Sequence, residues 1–206
     1  MHRVFQLKLA IVGSEPLIWR RVFVEDDCTF GDLHHVIQYA FYWLEHPPHE
    51  FTIQGRSEGP RIGPSRVEDT DADDVRLREA IESVGDEMRY RCKSGDRWVV
   101  DVHVEGLQPI TSGHRYPYCS SGACDRPPRG VGGIAKHNEA ARAFGRPEAW
   151  KAFRARNPNA RCFDQPFDPT YLDIGDINTA LGLIFPPRAD PPEFDQSGVF
   201  SQLKEQ

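Results

Sequence analysis

Apolar and polar positions alternate with a period of two over residues 4–12, VFQLKLAIV, which predicts a β-strand. Gly13 to Pro16 carries turn chemistry, and residues 17–24, LIWRRVFV, alternate again, so the two segments are expected as a hairpin. The period then becomes helical. Leu33, Val36, Ile37, Ala40, Phe41 and Leu44 recur at helical spacing behind Thr29 and Asp32, a capping-box pair. Pro47-Pro48 stops that helix, and residues 49–54, HEFTIQ, predict a third strand. Residues 55–74 are rich in Gly, Pro, Arg and Asp and read as a surface loop whose acidic run, Glu68 to Asp74, stays solvated.

Leu77, Ala80, Ile81 and Val84 suggest a short helix, and Met88 to Lys93 a strand. Ser94-Gly95-Asp96 turns the chain into a strand from Trp98 to Glu105. There Trp98, Val100, Val102 and Val104 face one side, and Val99, Asp101, His103 and Glu105 the other. From Arg115 to Gly133 prolines, glycines and two cysteines rule out a regular helix or a central strand and predict a long irregular loop. Short helices are expected over Asn138–Phe144 and Glu148–Arg156, and a weaker one over Asp173–Leu183, interrupted in composition by Gly175 and Gly182. Residues 185–206, with four prolines, read as a flexible tail. This order predicts an α+β fold: a mixed sheet, built from the N-terminal hairpin and later strands, packed on one main helix, with a helical C-terminal extension.

Length and composition narrow the function. The 206 residues, 39% hydrophobic, can bury a core. A net charge of -6 gives no overall attraction to nucleic acid or anionic membrane. A local basic face would rest on Arg20, Arg21, Arg142, Arg146, Arg154, Arg156 and Arg161. Five cysteines, an odd number, with no apolar run near the ~18 residues of a membrane span and no charged-then-apolar leader, suggest a reduced, soluble, cytoplasmic protein. Walker, Rossmann, nucleophile-elbow and zinc-protease motifs do not occur.

Several motifs occur in a defined order: PLIWRR (Pro16 to Arg21), LHHVIQYAFYW (Leu33 to Trp43), HEF (His49 to Phe51), SGDRW (Ser94 to Trp98), RYPYC (Arg115 to Cys119), PP…GG (Pro127 to Gly133) and FDPTYLDI (Phe167 to Ile174). Together they resemble the plasmid-pRiA ORF-three family, the Ri-plasmid open-reading-frame-three-like domain, over roughly residues 3 to 182. The resemblance implies an α+β fold. Resolvase or transposon-passenger labels on some members imply a mobile-element or plasmid association. The chain departs from the family pattern at Cys92-Lys93-Ser94, where an aromatic-Asp-aromatic run is frequent. It departs again at Val100 (often His), at Arg129 and Gly130 (often acidic) and at Val131 (often Cys). Polar groups that a site in the family would use are therefore partly missing.

Candidate chemistry gathers at few positions. Cys119 and Cys124 have a spacing compatible with two zinc ligands, which His103, His114 or His137 would have to complete. Buried thiols, or a redox-labile pair, are the expectation, with no cofactor; zinc is the alternative. His49 and Glu50 could supply acid–base chemistry, but neighbouring strand residues point to opposite faces, and His49 is otherwise expected to bond the Pro47-Pro48 turn. Asp96 is a turn residue or a ligand or base beside the cysteine loop. Trp19, Trp43 and Trp98 are expected as core anchors. Of Arg20 and Arg21 at most one points inward, and it would need a carboxylate partner. The candidate site is thus His49, Glu50, Asp96, Trp98, Arg115 and Tyr116, with Cys119 and Cys124 as candidate metal ligands.

The organisation expected is an α+β core over 1–112, the cysteine loop and C-terminal helices over 113–184, and the tail over 185–206. The function expected is a binding or interaction module with an unknown partner. The alternative is a metal-dependent enzyme using His49, Asp96, Cys119 and Cys124 on nucleic acid.

Overall fold

In the computed structural model, which describes residues 3–44, 47–53, 62–63, 70–164 and 167–185, one sheet runs through the molecule. Its strands are β1 (Arg3–Ile11), β2 (Trp19–Glu25), β3 (His49–Ile53), β4 (Ile62–Gly63), β5 (Thr70–Asp71), β6 (Glu87–Cys92), β7 (Val99–Pro109) and β8 (Tyr118–Ala123). They lie in the order β5-β4-β3-β6-β7-β1-β2-β8. Six of the neighbouring pairs among the described residues are antiparallel, and the two-residue β5 pairs parallel with β4, which makes the sheet mixed. The helices are α1 (Phe30–Ala40), α2 (Leu77–Ala80), α3 (Ile134–Ala143), α4 (Pro147–Arg156) and α5 (Ile174–Ile184). The α+β class expected from the sequence holds. None of the helices among the described residues is long and apolar enough to cross a membrane.

Alternation sets the core. Phe5, Leu7, Leu9 and Ile11 of β1 and Val22 and Val24 of β2 are buried against Leu33, Val36, Ile37 and Ala40 of α1. Trp98, Val100, Val102 and Val104 join the same core. The capping box forms: Thr29 Oγ1 accepts from the Asp32 N–H at 3.0 Å, and Asp32 Oδ2 accepts from the Thr29 N–H at 2.9 Å. α1 ends sooner than its periodicity suggests. Tyr42 and Leu44 adopt φ of 51° and 49°, which turns the chain away, so Leu44 is exposed rather than part of the buried stripe.

Other expectations are corrected. The segment around Cys119 is not wholly irregular. Tyr118–Ala123 pairs along β2, with Val22 opposite Cys119 and Trp19 opposite Ala123, and a register shift between Arg21 and Val22 absorbs its irregularity. Being an edge strand, it tolerates the flanking prolines. Within the expected 55–74 loop, Ile62 pairs with Phe51 and is fully buried, and Ala72 is buried where its carbonyl accepts from the Gly31 N–H at 3.0 Å. Residues 54–61 and 64–69 of that loop, and 186–206 of the expected tail, lie outside the described residues. Val84 is exposed and outside α2. Trp19 sits on the solvent face of the sheet, under Lys8 at 5.4 Å and Arg21 at 5.1 Å, not in the core.

Arg20 is the inward arginine, 2% exposed, and its partners are not the carboxylate expected but three carbonyls. Its Nε donates to Ala40 O at 3.2 Å, and its Nη1 to Trp19 O at 2.8 Å and Ala123 O at 3.0 Å. One side chain thereby ties β2 to the end of α1 and the end of β8. Such bonds carry a full donor charge and are stronger than neutral ones.

Candidate functional site

The segments that carry the motifs converge at one end of the sheet. Helix α1 brings His34, Gln38 and, just past its end, Trp43. The start of β3 brings His49, β6 brings Tyr90, and the β6–β7 turn brings Asp96 and Trp98. His34 and Gln38 lie four apart on α1 and reach the same side. Two pockets open here with Pro47 as a shared wall. The larger, about 380 Å³, is lined by Gln38, Trp43, Trp98, Asp96, Arg129 and Gly130, among others. The smaller, about 290 Å³, is lined by His34, His35, His49, Asp71 and Asp73, among others.

Beneath the pockets lies a buried polar network. The Tyr90 hydroxyl, fully buried, accepts from Gln38 Nε2 at 2.9 Å and lies 3.0 Å from His34 Nδ1. The phenol can donate to that ring nitrogen or accept from it, according to the His34 tautomer. Burial pushes the Tyr90 phenol well above its ordinary value and keeps it protonated. The His34 ring stacks on His49 at 3.8 Å between centroids and 4° between planes.

His49 Nδ1 lies 3.1 Å from Pro47 O, the turn contact expected from the sequence. A carbonyl only accepts, so Nδ1 carries the hydrogen and Nε2 of the neutral ring is a bare lone pair. Burial holds the His49 pKa below its ordinary value, which keeps the ring neutral at pH 7. Among the described residues its buried Nε2 has no hydrogen-bond partner, and neither has the buried indole Nε1–H of Trp43. Trp43 stacks on Trp98 at 5.8 Å and 9°. His49 thus lines one pocket and Trp43 the other, and each carries one of these unpaired atoms buried behind the pocket surface. Buried polar atoms are nearly always paired, and each exception asks for a partner.

The remaining candidates separate. Glu50 points to the opposite face from His49 and pairs with Lys93 at 2.8 Å and Arg91 at 3.8 Å, so the His-Glu pair does not assemble. Asp96 does lie at the pocket, but its two oxygens accept from the Gly130 and Gly132 N–H groups at 2.8 Å each. It clamps the PP…GG loop against the β6–β7 turn. Positive φ at Gly130 and Gly132, 73° and 91°, lets the loop aim those N–H groups at one carboxylate. Arg115 and Tyr116 line a different pocket, about 720 Å³, beside Glu25, Asp32 and Phe185.

Cys119 and Cys124 belong to the surroundings of Arg20, and burial pushes both thiols above their ordinary value, which disfavours the reactive thiolate. Cys119 is further held by its backbone, which exchanges two bonds with the Asn178 amide at 2.6 and 2.9 Å. His103 faces Glu87 at 3.5 Å, and His137 is buried edge-on to Phe167 at 6.0 Å. No group of three or more His, Cys, Asp or Glu side chains that could share an ion occurs among the described residues. The basic face is largely paired off: Arg21 with Glu105, Arg142 with Glu15, Arg154 with Asp164 and Arg156 with Glu139.

Sequence reasoning missed His34, Gln38 and Tyr90. A signal existed: His34 and Gln38 each follow a core position of α1, Leu33 and Ile37, and so fall inside the apolar stripe rather than opposite it.

Fold and site together define an α+β protein with a pair of open, partly polar pockets between one helix and its sheet. The chain belongs to the family described as plasmid pRiA4b ORF-3-like protein, whose model matches residues 3–176. It is similar to the uncharacterized protein y4hQ of Sinorhizobium fredii (strain NBRC 101917 / NGR234), 28% identical over 145 residues, 70% of this chain and 74% of that one. It is also similar to the crystal structure of MM3350, a protein of unknown function from Methanosarcina mazei Go1. There the TM-score is 0.71 and the identity 29%, over 85% of this chain and 98% of the other.

Proposed function

We propose that this chain is a ligand-binding module whose site is the pocket pair around Pro47. The ligand presents an acceptor to the Trp43 indole N–H, a donor to His49 Nε2 and a flat apolar part to the Trp43–Trp98 wall. The observation that carries this reading is the pair of buried polar atoms of opposite character, unpartnered among the described residues, on side chains that line adjoining pockets; a ligand reaches them by displacing the side chains that cover them. An unmade buried hydrogen bond costs about 1–3 kcal/mol. A ligand that makes both bonds recovers that cost and gains affinity from it. The neutral His49 ring suits recognition of a neutral N–H or O–H donor better than an anion. The plasmid reading frame in the family name supports a mobile-element setting, and five free thiols support a reducing, cytoplasmic one.

The test is a thermal-shift screen of small polar metabolites on the wild type and on Trp43→Phe, which keeps an aromatic wall but deletes the donor. Compounds that raise the wild-type melting temperature and lose at least about tenfold in affinity on Trp43→Phe support the proposal. Compounds that bind both proteins equally contradict it.

A further inference from the structure

A second pocket, about 170 Å³, lies where the end of β8, the turn after α1 and the N-terminus of α5 meet, away from Pro47. Its walls carry both signs of charge: Arg20 and Arg126 on one hand, Asp125, Asp173 and Asp176 on the other. Arg20 is the informative group. It is buried, and no carboxylate of the described residues forms an ion pair with it. Its Nε and Nη1 are spent on three carbonyls, which leaves Nη2 without a hydrogen bond among the described residues. A buried cation held only by neutral oxygens is costly, and burial draws its pKa down to about 10.

Arg126 stands beside it with its guanidinium 4.8 Å over the Tyr42 ring. Tyr42 holds that place in the left-handed backbone region, at φ 51°, which a bulky residue rarely adopts. Of the carboxylates, Asp125 accepts from the Arg126 backbone N–H at 2.7 Å and pairs loosely with the Arg126 guanidinium at 3.8 Å, and Asp173 caps α5 by accepting from the Asp176 N–H at 3.0 Å. No hydrogen bond to a side-chain oxygen of Asp176 occurs among the described residues.

We propose that this pocket binds a small zwitterion of the α-amino-acid class, its carboxylate between Arg20 and Arg126 and its ammonium at Asp173 and Asp176. A simple anion would meet three carboxylates, and a simple cation would meet two guanidiniums. A ligand carrying both charges answers both. The volume suits roughly six to eight non-hydrogen atoms, since a cavity of about 150 Å³ accepts benzene.

The experiment is calorimetric titration of the full chain with each of the proteinogenic amino acids at up to about 10 mM, where ligands this small reach measurable affinity. Each binder is compared with its deaminated acid and its decarboxylated amine. The expected result is that at least one small amino acid binds while both half-molecules bind at least about tenfold more weakly. Arg126→Gln and, separately, Asp176→Asn each lower that affinity by about tenfold or more. Both positions are at the surface, so both variants should fold. Failure of every amino acid to bind overturns the proposal. So does a deaminated acid that binds as tightly as its parent, or a binder indifferent to Arg126→Gln.

Discussion

Replacing Trp98 by alanine tests whether the core and the pocket wall are built as described. Trp98 is 5% exposed, leads the buried row continued by Val100, Val102 and Val104, and stacks on Trp43. A buried aromatic covers about 150–250 Å², and truncating it removes most of that area from the apolar contact. At about 25 cal/mol per Å² the loss is roughly 3–5 kcal/mol, the range found for large aromatic-to-alanine changes. The stack with Trp43 adds about 0.5–1.5 kcal/mol. Because Trp98 borders an open pocket of about 380 Å³, water can enter the space left behind, which favours the lower end of the sum. Urea denaturation followed by far-UV circular dichroism reads the result. With a slope of about 2 kcal/mol/M, the midpoint should fall by about 2 M at unchanged slope. A midpoint within about 0.3 M of wild type would show that Trp98 contributes no buried surface and that the strand's faces are exchanged.

Gly122→Ala should cost about 1–3 kcal/mol in the same assay, because its Cβ would stand 2.7 Å from Trp19 O and 3.0 Å from Arg20 Cδ; wild-type stability would contradict the close approach of β8 to β2. Glu105, held down to about 2 by its bonds to Arg21, binds fewer protons folded than unfolded between that value and its ordinary one. Its contribution, about 1–2 kcal/mol after solvent screening, is therefore present above pH 5 and lost toward pH 2. The stability gap between wild type and Arg21→Met should close over that range, and a gap independent of pH would refute the pairing. Burial draws His137 down to about 4, so protonation of the unfolded chain is the easier, and stability should fall as pH drops from about 6.5 to 4. His137→Leu should remove about 2 kcal/mol of that acid sensitivity, measured as melting temperature against pH; an unchanged profile would place the sensitivity elsewhere.

What the sequence revealed and what it hid divide along physical lines. The β1–β2 hairpin, the Thr29–Asp32 cap and the Trp98–Val104 face depend on local periodicity and local hydrogen bonding, and all three appear in the structure. β4 and β5 are two residues each, too short for any period to register, yet they bury Ile62. β8 was obscured by Pro117, Gly122 and the cysteines, whose composition suits an edge strand as well as a loop. The partners of Arg20 are backbone carbonyls from three elements distant in sequence, which no side-chain pattern announces. At the candidate site, His49, Asp96 and Trp98 were visible as motif residues. That Asp96 is consumed by the Gly130 and Gly132 N–H groups, and that His49 Nε2 is left bare, follows only from three-dimensional geometry.

In the proposed function the Trp43 indole N–H and His49 Nε2 await a ligand. The most direct measurement is nitrogen-resolved NMR of the four indole and the histidine side chains at pH 7, read free and during a fragment screen. Free His49 is expected to be neutral with its hydrogen on Nδ1. Binding fragments are expected to shift the Trp43 indole and His49 Nε2 resonances together, while the Trp19 and Trp150 indoles stay in place. A His49 carrying its hydrogen on Nε2, or a fragment library that leaves the Trp43 indole unmoved, would contradict the proposed function.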